Sequence, residues 1–376
     1  MRVGCNLLWL VPGRVGGSEE ATVALLRQIA AQRPDDLDYT VYALDAFGAV
    51  YPDIVERFDT RLAPLEGRLK PLRIGAENTW LASQTKQAGL ELVHHMGTVL
   101  PLVQRAPGVV TVHDLQPVDL PQNFRPAKRA YARVTFPRSL RKATLVVTPS
   151  EFVRQRIIDR FAIPPDRVRA TPWGVDSPRS DITVANIQAR YELSPRWFVL
   201  NAITWPHKNH EMLIRAFTPV AAKHPDVMLV LTGGKAQQEK AIVEQINRLG
   251  LHGRVRRTGR VPRRDVLAII RGAVALTFPS RYEGFGLPVV EAMSLGTPVL
   301  AADATALPEV VGDAGRLLDA DDPDAWTEAM LDLLNDDGER QRLIEAGRRR
   351  AETFSWGTTA AQTIQVYRDA LTNASS

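Results

Sequence analysis

Cysteine is all but missing from this chain of 376 residues, which carries only Cys5. A single thiol excludes an intrachain disulfide and fits a reducing compartment. Within "RVGCNLLWLV" it reads as a small core residue rather than a nucleophile. Long apolar runs are missing too. No stretch reaches the ~18–20 apolar residues of a membrane span, and the nearest, "VLAIIRGAVALTF", is broken by Arg271. The opening "MRVGCNLLWLVPG" has one basic residue, no small-residue cleavage site and a stop at Pro12-Gly13. It is expected to be a first strand and not a signal peptide. A cytoplasmic protein is expected, at most peripheral at the inner face of the plasma membrane.

Acid is absent from one long segment. Residues 121–142 carry Arg125, Lys128, Arg129, Arg133, Arg138, Arg141 and Lys142 with no carboxylate, although the net charge is only +5. A second run holds Arg254, Arg256, Arg257, Arg260, Arg263 and Arg264. Such runs read either as solvated faces or as sites for phosphates, acidic glycans or an anionic membrane surface. Nucleic acid is not expected, because no helix-turn-helix, RNP or zinc signature accompanies them. Metal signatures are also lacking. His94 and His95 in "HHMG" have neither a two-histidine helical spacing nor an acidic partner, so no metal is expected there.

What is present is a globular composition, 45% apolar and 24% charged, on a length that suggests two domains. Short apolar runs alternate with helical patterns almost throughout. "RVGCNLLWLV", "YTVYALD", "ELVHHMG", "GVVTVHD", "ATLVVTPS" and "VRATPWGVD" are the strands of a first set, and Ser150 is placed to cap the helix "EFVRQRIIDRF". The polar stretch "SPRSDITVANIQARYELSPR" reads as an irregular linker. A second set then runs through "WFVLNAI", "VMLVLTG", "VRRTGRV", "VALTFPS", "PVLAAD" and "AGRLLD". This alternation predicts an α/β chain of two Rossmann-like, doubly wound parallel-sheet domains facing across a cleft. Their expected bounds are 1–178 and 179–355, with a final segment 356–376. Ligands of such sheets bind beyond the carboxyl ends of the strands.

The loops after strands hold the candidate residues. Gly16 and Gly17 in "GRVGGSEEA" open the first helix, where backbone amides favour an anion; an ordinary tight turn is the other reading. His113 in "TVHDL" suits proton sharing, or a satisfied structural histidine. Lys208 is a point charge for phosphate and Asn209 a helix cap, with a solvated lysine the plain alternative. In "YEGFGLPVVEAM", Gly284, Phe285, Gly286 and Leu287 form a turn whose amides face the start of a helix. Glu283 and Glu291 bracket that turn, one placed for sugar hydroxyls and the other for the two hydroxyls of a ribose. One ligand with two sugars and phosphates between them would satisfy the whole set.

"YEGFGLPVVEAMSLGTPVLAAD" resembles the E-x7-E motif of the family 4 retaining glycosyltransferases of the GT-B fold. "GGSEEA", "TVHDL", "TPSEF", "WPHKN" and "TGRV" follow in that family's order, so the likeness spans about residues 2–356. The resemblance implies that Gly17 lends an amide to the diphosphate and that His113 meets the donor sugar near its anomeric carbon. It implies that Lys208 pairs with the diphosphate, Glu283 with the donor sugar and Glu291 with the ribose. The family's second basic ligand falls on Ala202 here, leaving His207 or an arginine from elsewhere to compensate.

The implied reaction moves a hexose from a nucleoside diphosphate sugar to a saccharide or lipid-linked acceptor, with retention and without cofactor or metal. "DADD" at 319–322 reads as solvated acid rather than a metal motif. "NAITWPHKNHE" resembles variants using mannose- or rhamnose-type donors in surface polysaccharide synthesis, which favours a GDP-sugar over a UDP-sugar. Two other readings are a nucleotide-sugar epimerase on the same fold and a catalytically silent sugar-nucleotide-binding subunit. By the same resemblance the N-terminal domain binds the acceptor and the last helix crosses back to it, burying Ala360, Ile364, Val366, Tyr367 and Leu371. Hinges are expected near 176–190 and 354–358. Lys208 and Glu283 are expected to be loop residues without a stabilising role.

Overall fold

The computed structural model describes residues 1–14, 16–175 and 182–375. The chain divides into two compact units, Met1–Gly174 with Ser355–Ser376, and Val175–Phe354.

The first unit holds seven strands: β1 (Arg2–Asn6), β2 (Asp38–Leu44), β3 (Asp59–Ala63), β4 (Leu92–His95), β5 (Gly108–Thr111), β6 (Leu145–Thr148) and β7 (Val168–Ala170). Their order is β3-β2-β1-β4-β5-β6-β7, and every pairing is parallel. Sequences such as "LVVT" and "GVVT" are buried along their whole length, as central strands covered by helices on both faces must be. Cys5 lies in this core, where burial pushes its thiol up to about 12. The strand expected to run through "RVGCNLLWLV" stops at Asn6. The Asn6 side-chain oxygen accepts from the Leu8 amide at 3.0 Å and turns the chain out of the sheet.

The last helix, Trp356–Ser375, belongs to this first unit and packs on the helix Gly17–Gln32. Tyr367 carries it: its hydroxyl lies 3.1 Å from that of Tyr39 and 2.9 Å from His94 Nδ1. Ala360, Ile364, Val366 and Tyr367 are buried. Leu371 is only half-buried, and Ala370 is fully buried beside it.

The second unit holds β8 (Arg196–Asn201), β9 (Val227–Thr232), β10 (Val255–Gly259), β11 (Ala275–Phe278), β12 (Val299–Ala302) and β13 (Arg316–Leu318). Their order is β10-β9-β8-β11-β12-β13, again all parallel.

Several expectations of the local structure change. The edge strand β3, "DTRLA", escapes notice because its burial pattern is mostly intermediate and it lacks a continuous apolar run. The stretch read as an irregular linker contains the helix Val184–Tyr191, capped by Thr183, which accepts from the Asn186 amide at 3.2 Å, and anchored by buried Ile187. Of the hinge segment 176–190, residues 176–181 lie outside the described residues and 184–190 are helical. The units divide at Gly174/Val175 and Phe354/Ser355, a few residues from the bounds of 178/179 and 355/356. Ser150 does cap its helix, accepting from the Val153 amide at 3.2 Å.

Candidate functional site

In the second unit, the loops after β8 and β11 meet at the carboxyl edge of the sheet. The Arg281 amide and the Ser280 hydroxyl both donate to the His207 carbonyl, at 2.8 and 3.3 Å. This stitching brings Lys208 and Glu283 together, and the ammonium donates to the carboxylate. Their side chains are only 17% and 11% exposed, so the pair is sheltered from water. The Glu283 amide donates to Thr305 Oγ1 at 2.9 Å, which fixes the loop from behind. Asn209 stands at the N-cap position, but its φ of 58° turns the side chain away and it makes no cap bond. It donates instead to the Ala320 carbonyl at 2.6 Å, tying the "DADD" loop to the site.

The glycine turn then starts the helix Leu287–Ser294. Gly286 has φ 104°, and a Cβ there would lie 2.7 Å from Leu307 Cδ2, so both backbone and space demand glycine. Gly284 is buried in the bend. Phe285 packs edge-on against Phe354, ring centres 5.6 Å apart, and Leu287 is buried; these two anchor the turn. Glu291 is 2% exposed and forms an ion pair with Arg263 of the helix Arg263–Arg271. Arg263 was part of a basic run in the sequence, and only the fold pairs it with Glu291.

Beside Ala202, the structure places a cation from the loop after β10. The Ala202 amide donates to the Thr232 carbonyl at 2.9 Å and the Gly233 amide to the Gly259 carbonyl at 3.0 Å, so three strand ends lie side by side. A Cβ on Gly233 would sit 2.3 Å from the Ala202 carbonyl oxygen. A Cβ on Gly234 would sit 2.9 Å from Arg260 Nε, so the arginine lies across the glycine pair next to Ala202. His207 does not fill this need as a cation. Burial, then Lys208 and His210, push its pKa down to about 3, leaving it neutral.

The remaining candidates lie in the first unit. His113 Nε2 lies 2.8 Å from the Met96 carbonyl. A carbonyl only accepts, so Nε2 carries the proton and Nδ1 is an unprotonated acceptor; Nδ1 is buried without a partner. Burial pushes this histidine down to about 4, so the ring is neutral. Trp9 and Trp173 flank it, ring centres 5.4 and 5.7 Å away. Gly16 caps the first helix with no side-chain bond, and a Cβ on Gly17 would meet nothing within 4 Å. Glu19, whose charge argues against an anion in this loop, is turned inward. It accepts from the Gly13 amide at 2.8 Å and the Tyr51 hydroxyl at 2.7 Å, a bracing role hidden from the sequence.

The histidine pair of "HHMG" is structural: Thr111 Oγ1 and Tyr367 Oη take the two nitrogens of His94, at 2.7 and 2.9 Å. Asn6 Nδ2 meets His95 Nδ1 at 3.0 Å. Among the described residues, no three His, Cys, Asp or Glu side chains are grouped to hold a metal. No helix among them is long and apolar enough to cross a membrane.

Two family profiles tile the chain, Glycosyltransferase Family 4 over residues 15–179 and Glycosyl transferases group 1 over residues 196–350. The O-antigen chain mannosyltransferase B of Escherichia coli is 34% identical over 268 residues, covering 69% of this chain and 70% of its own. The chain belongs to the family 4 glycosyltransferases. A second relative of this glycosyltransferase is D-inositol 3-phosphate glycosyltransferase of Corynebacterium glutamicum, 29% identical over 82% of this chain and 81% of its own. Among solved structures, Anabaena Alr3699/HepE in complex with UDP-glucose superposes with a TM-score of 0.78 at 20% identity, covering 98% of this chain and 100% of that one. The two parallel sheets are those of the GT-B fold implied by the sequence motifs.

Proposed function

We propose that this glycosyltransferase moves a mannose- or rhamnose-type hexose, with retention, from a GDP-sugar to a hydroxyl of a saccharide or lipid-linked acceptor in surface polysaccharide or glycolipid synthesis. The observation that carries the reading is the sheltered Lys208–Glu283 pair at the mouth of the glycine turn. An arriving diphosphate competes for Lys208 and frees the Glu283 carboxylate to accept from hydroxyls of the donor sugar. Arg260, beside Ala202, serves as the second cation on the diphosphate. Glu291, held by Arg263, takes the ribose hydroxyls. The amides of the Gly284-Phe285-Gly286 turn add to the anion's cradle.

Charge develops on the leaving diphosphate as the bond from the anomeric carbon to phosphate oxygen breaks, and Lys208 and Arg260 stabilise it there. The acceptor oxygen bonds to the same face, and its proton passes to the departing phosphate oxygen. No metal or cofactor is required. His113 of the first unit, neutral with a free acceptor at Nδ1, is suited to take a sugar hydroxyl hydrogen. The mannosyltransferase similar to this chain supports the choice of sugar.

The protein works at the inner face of an anionic membrane in this reading. The basic helix Pro126–Lys142 exposes its own Val134, and Leu69, Leu72, Leu102 and Val103 are exposed on the segments that contact it through Lys70 and Arg138. Arg138 of that helix donates to the carbonyls of Leu100, Pro101 and Leu102, and Asn78 Oδ1 accepts from the amides of Leu102 and Val103. Apolar side chains next to basic ones suit a lipid interface.

A panel of nucleotide sugars, read by thermal shift and by donor hydrolysis with and without chelator, tests the whole. GDP is expected to raise the melting temperature, and GDP-mannose to be hydrolysed slowly in the absence of acceptor. A response to UDP-sugars alone would reassign the base. No shift with any nucleotide sugar would sink the donor site.

A further inference from the structure

Three cations of the first unit crowd together with little opposing charge. Lys70 and Arg73 stand on the helix Lys70–Asn78, and Lys128 on the helix Pro126–Lys142. Lys70 bridges the two helices, its Nζ 3.8 Å from the centre of the Tyr131 ring. Lys128 Nζ lies 4.2 Å from the centre of the Phe124 ring. Arg73 Nη1 donates to the Trp9 carbonyl at 2.5 Å, while its Nε is buried without a partner. Loss of water, and then the charges of Lys128 and Arg73, lower the pKa of Lys70. The nearby acids give small relief. Burial pushes Glu77 up to about 7, and its Oε1 is already held by Asn6 Nδ2 at 3.0 Å. Asp114, which acts on Lys128, has one oxygen committed to the Gln116 amide at 3.0 Å.

We propose that the groove between the helices Lys70–Asn78 and Pro126–Lys142 seats a phosphate group carried by the acceptor. The proposal rests on the glycosyltransferase reading, with the first unit as its acceptor side. A phosphate dianion would relieve the repulsion that Lys128 and Arg73 exert on Lys70 and give Arg73 a charged partner. The faces of Tyr131 and Phe124 flank the seat, and Trp9 links it to His113, whose ring packs against it at 5.4 Å. Bound there, the phosphate would anchor the acceptor and present a neighbouring hydroxyl at His113.

Lys70 and Lys128 have exposed side chains, so Lys70→Gln and Lys128→Gln leave the fold intact. The test is calorimetric titration of inorganic phosphate into the full chain with its donor site filled by nucleoside diphosphate. In parallel, flotation is measured on phosphatidylglycerol and phosphatidylcholine vesicles. Phosphate binding that weakens at least tenfold in the double variant supports the seat and assigns a soluble phosphorylated acceptor. Flotation on phosphatidylglycerol vesicles alone, lost in the double variant, supports it with a lipid-borne phosphate. Binding to neither probe, or binding unchanged in the double variant, overturns it. Nucleoside diphosphate affinity and donor hydrolysis are measured on the same samples. Their absence would overturn the glycosyltransferase reading instead.

Discussion

At the carboxyl edge of the second unit's sheet the candidate donor site holds two opposed charge pairs, Lys208 with Glu283 and Arg263 with Glu291. At the same edge of the first unit, His94, His95 and His113 are pushed by burial down to about 3, 3 and 4, and Lys128 and Arg73 both repel Lys70. The second edge holds partners that a charged ligand can exchange for its own groups. The first holds neutral acceptors and surplus positive charge. A single fold thus carries two kinds of electrostatic preparation, one by pairing and one by repulsion, set by what each sheet end places side by side.

The sharpest way to separate the two units is to remove the last helix. Truncation after Phe354 deletes buried Ala360, Ile364, Val366, Tyr367 and Ala370 together with the hydroxyl that reaches His94 and Tyr39. Burial of the larger of these is worth about 1.5–3 kcal/mol each, against a typical total of about 5–15 kcal/mol. Calorimetry should show loss of the first unit's transition while the second unit's persists. A truncated protein with unchanged melting would break the comparison at its root.

Next in size is the effect of the donor-site pair. Glu283→Gln and Lys208→Ala are each expected to lower kcat about 10²–10³-fold. Because the pair is sheltered, each also costs about 1–3 kcal/mol of stability by leaving its partner uncompensated. This replaces the expectation of loop residues without a stabilising role. A double-mutant cycle in urea should return a coupling energy, and additive costs would show that the pair contributes nothing. Arg260→Ala should weaken nucleoside diphosphate binding about 10–100-fold, the worth of a charge-assisted hydrogen bond. Affinity for the nucleoside alone should stay the same, and an equal loss for both ligands would assign Arg260 elsewhere.

Proton linkage gives smaller effects. Five histidines have folded pKa values lowered to about 3 or 4, His94, His95 and His113 in the first unit and His207 and His210 in the second. The unfolded chain binds more protons below its histidine pKa of about 6.5. Stability is therefore full above that value and falls as pH drops toward 4, in both units. Glu77 has the opposite sign. Its folded pKa is raised to about 7, so its contribution is present at low pH and is lost as pH rises through 7. Glu77→Gln keeps an acceptor for Asn6 and should stabilise the first unit at pH 8 but not at pH 4. Denaturation curves at the two pH values decide it, and a gain equal at both would remove Glu77 from the account.

Much of this was legible in the residues alone. Glycine punctuation and apolar runs marked the strands, because a buried parallel strand has to be apolar throughout. Glu283, Gly286 and Glu291 stood out because a glycine turn at a strand end has few other uses. The hidden features are those that join distant segments. Arg263 reaches Glu291 across 28 positions, and Tyr51 meets Glu19 across 32. Arg260 comes to lie beside Ala202 only because β8, β9 and β10 end side by side. The helix Val184–Tyr191 was obscured because a single apolar anchor, Ile187, carries it. Local composition determined where strands, turns and candidate ligands lie along this chain, since those depend on neighbours a few residues away. Which charges face each other, and which histidines lose theirs, was decided by the tertiary structure. Electrostatic energy depends on distance and burial in space, and separation along the sequence encodes neither.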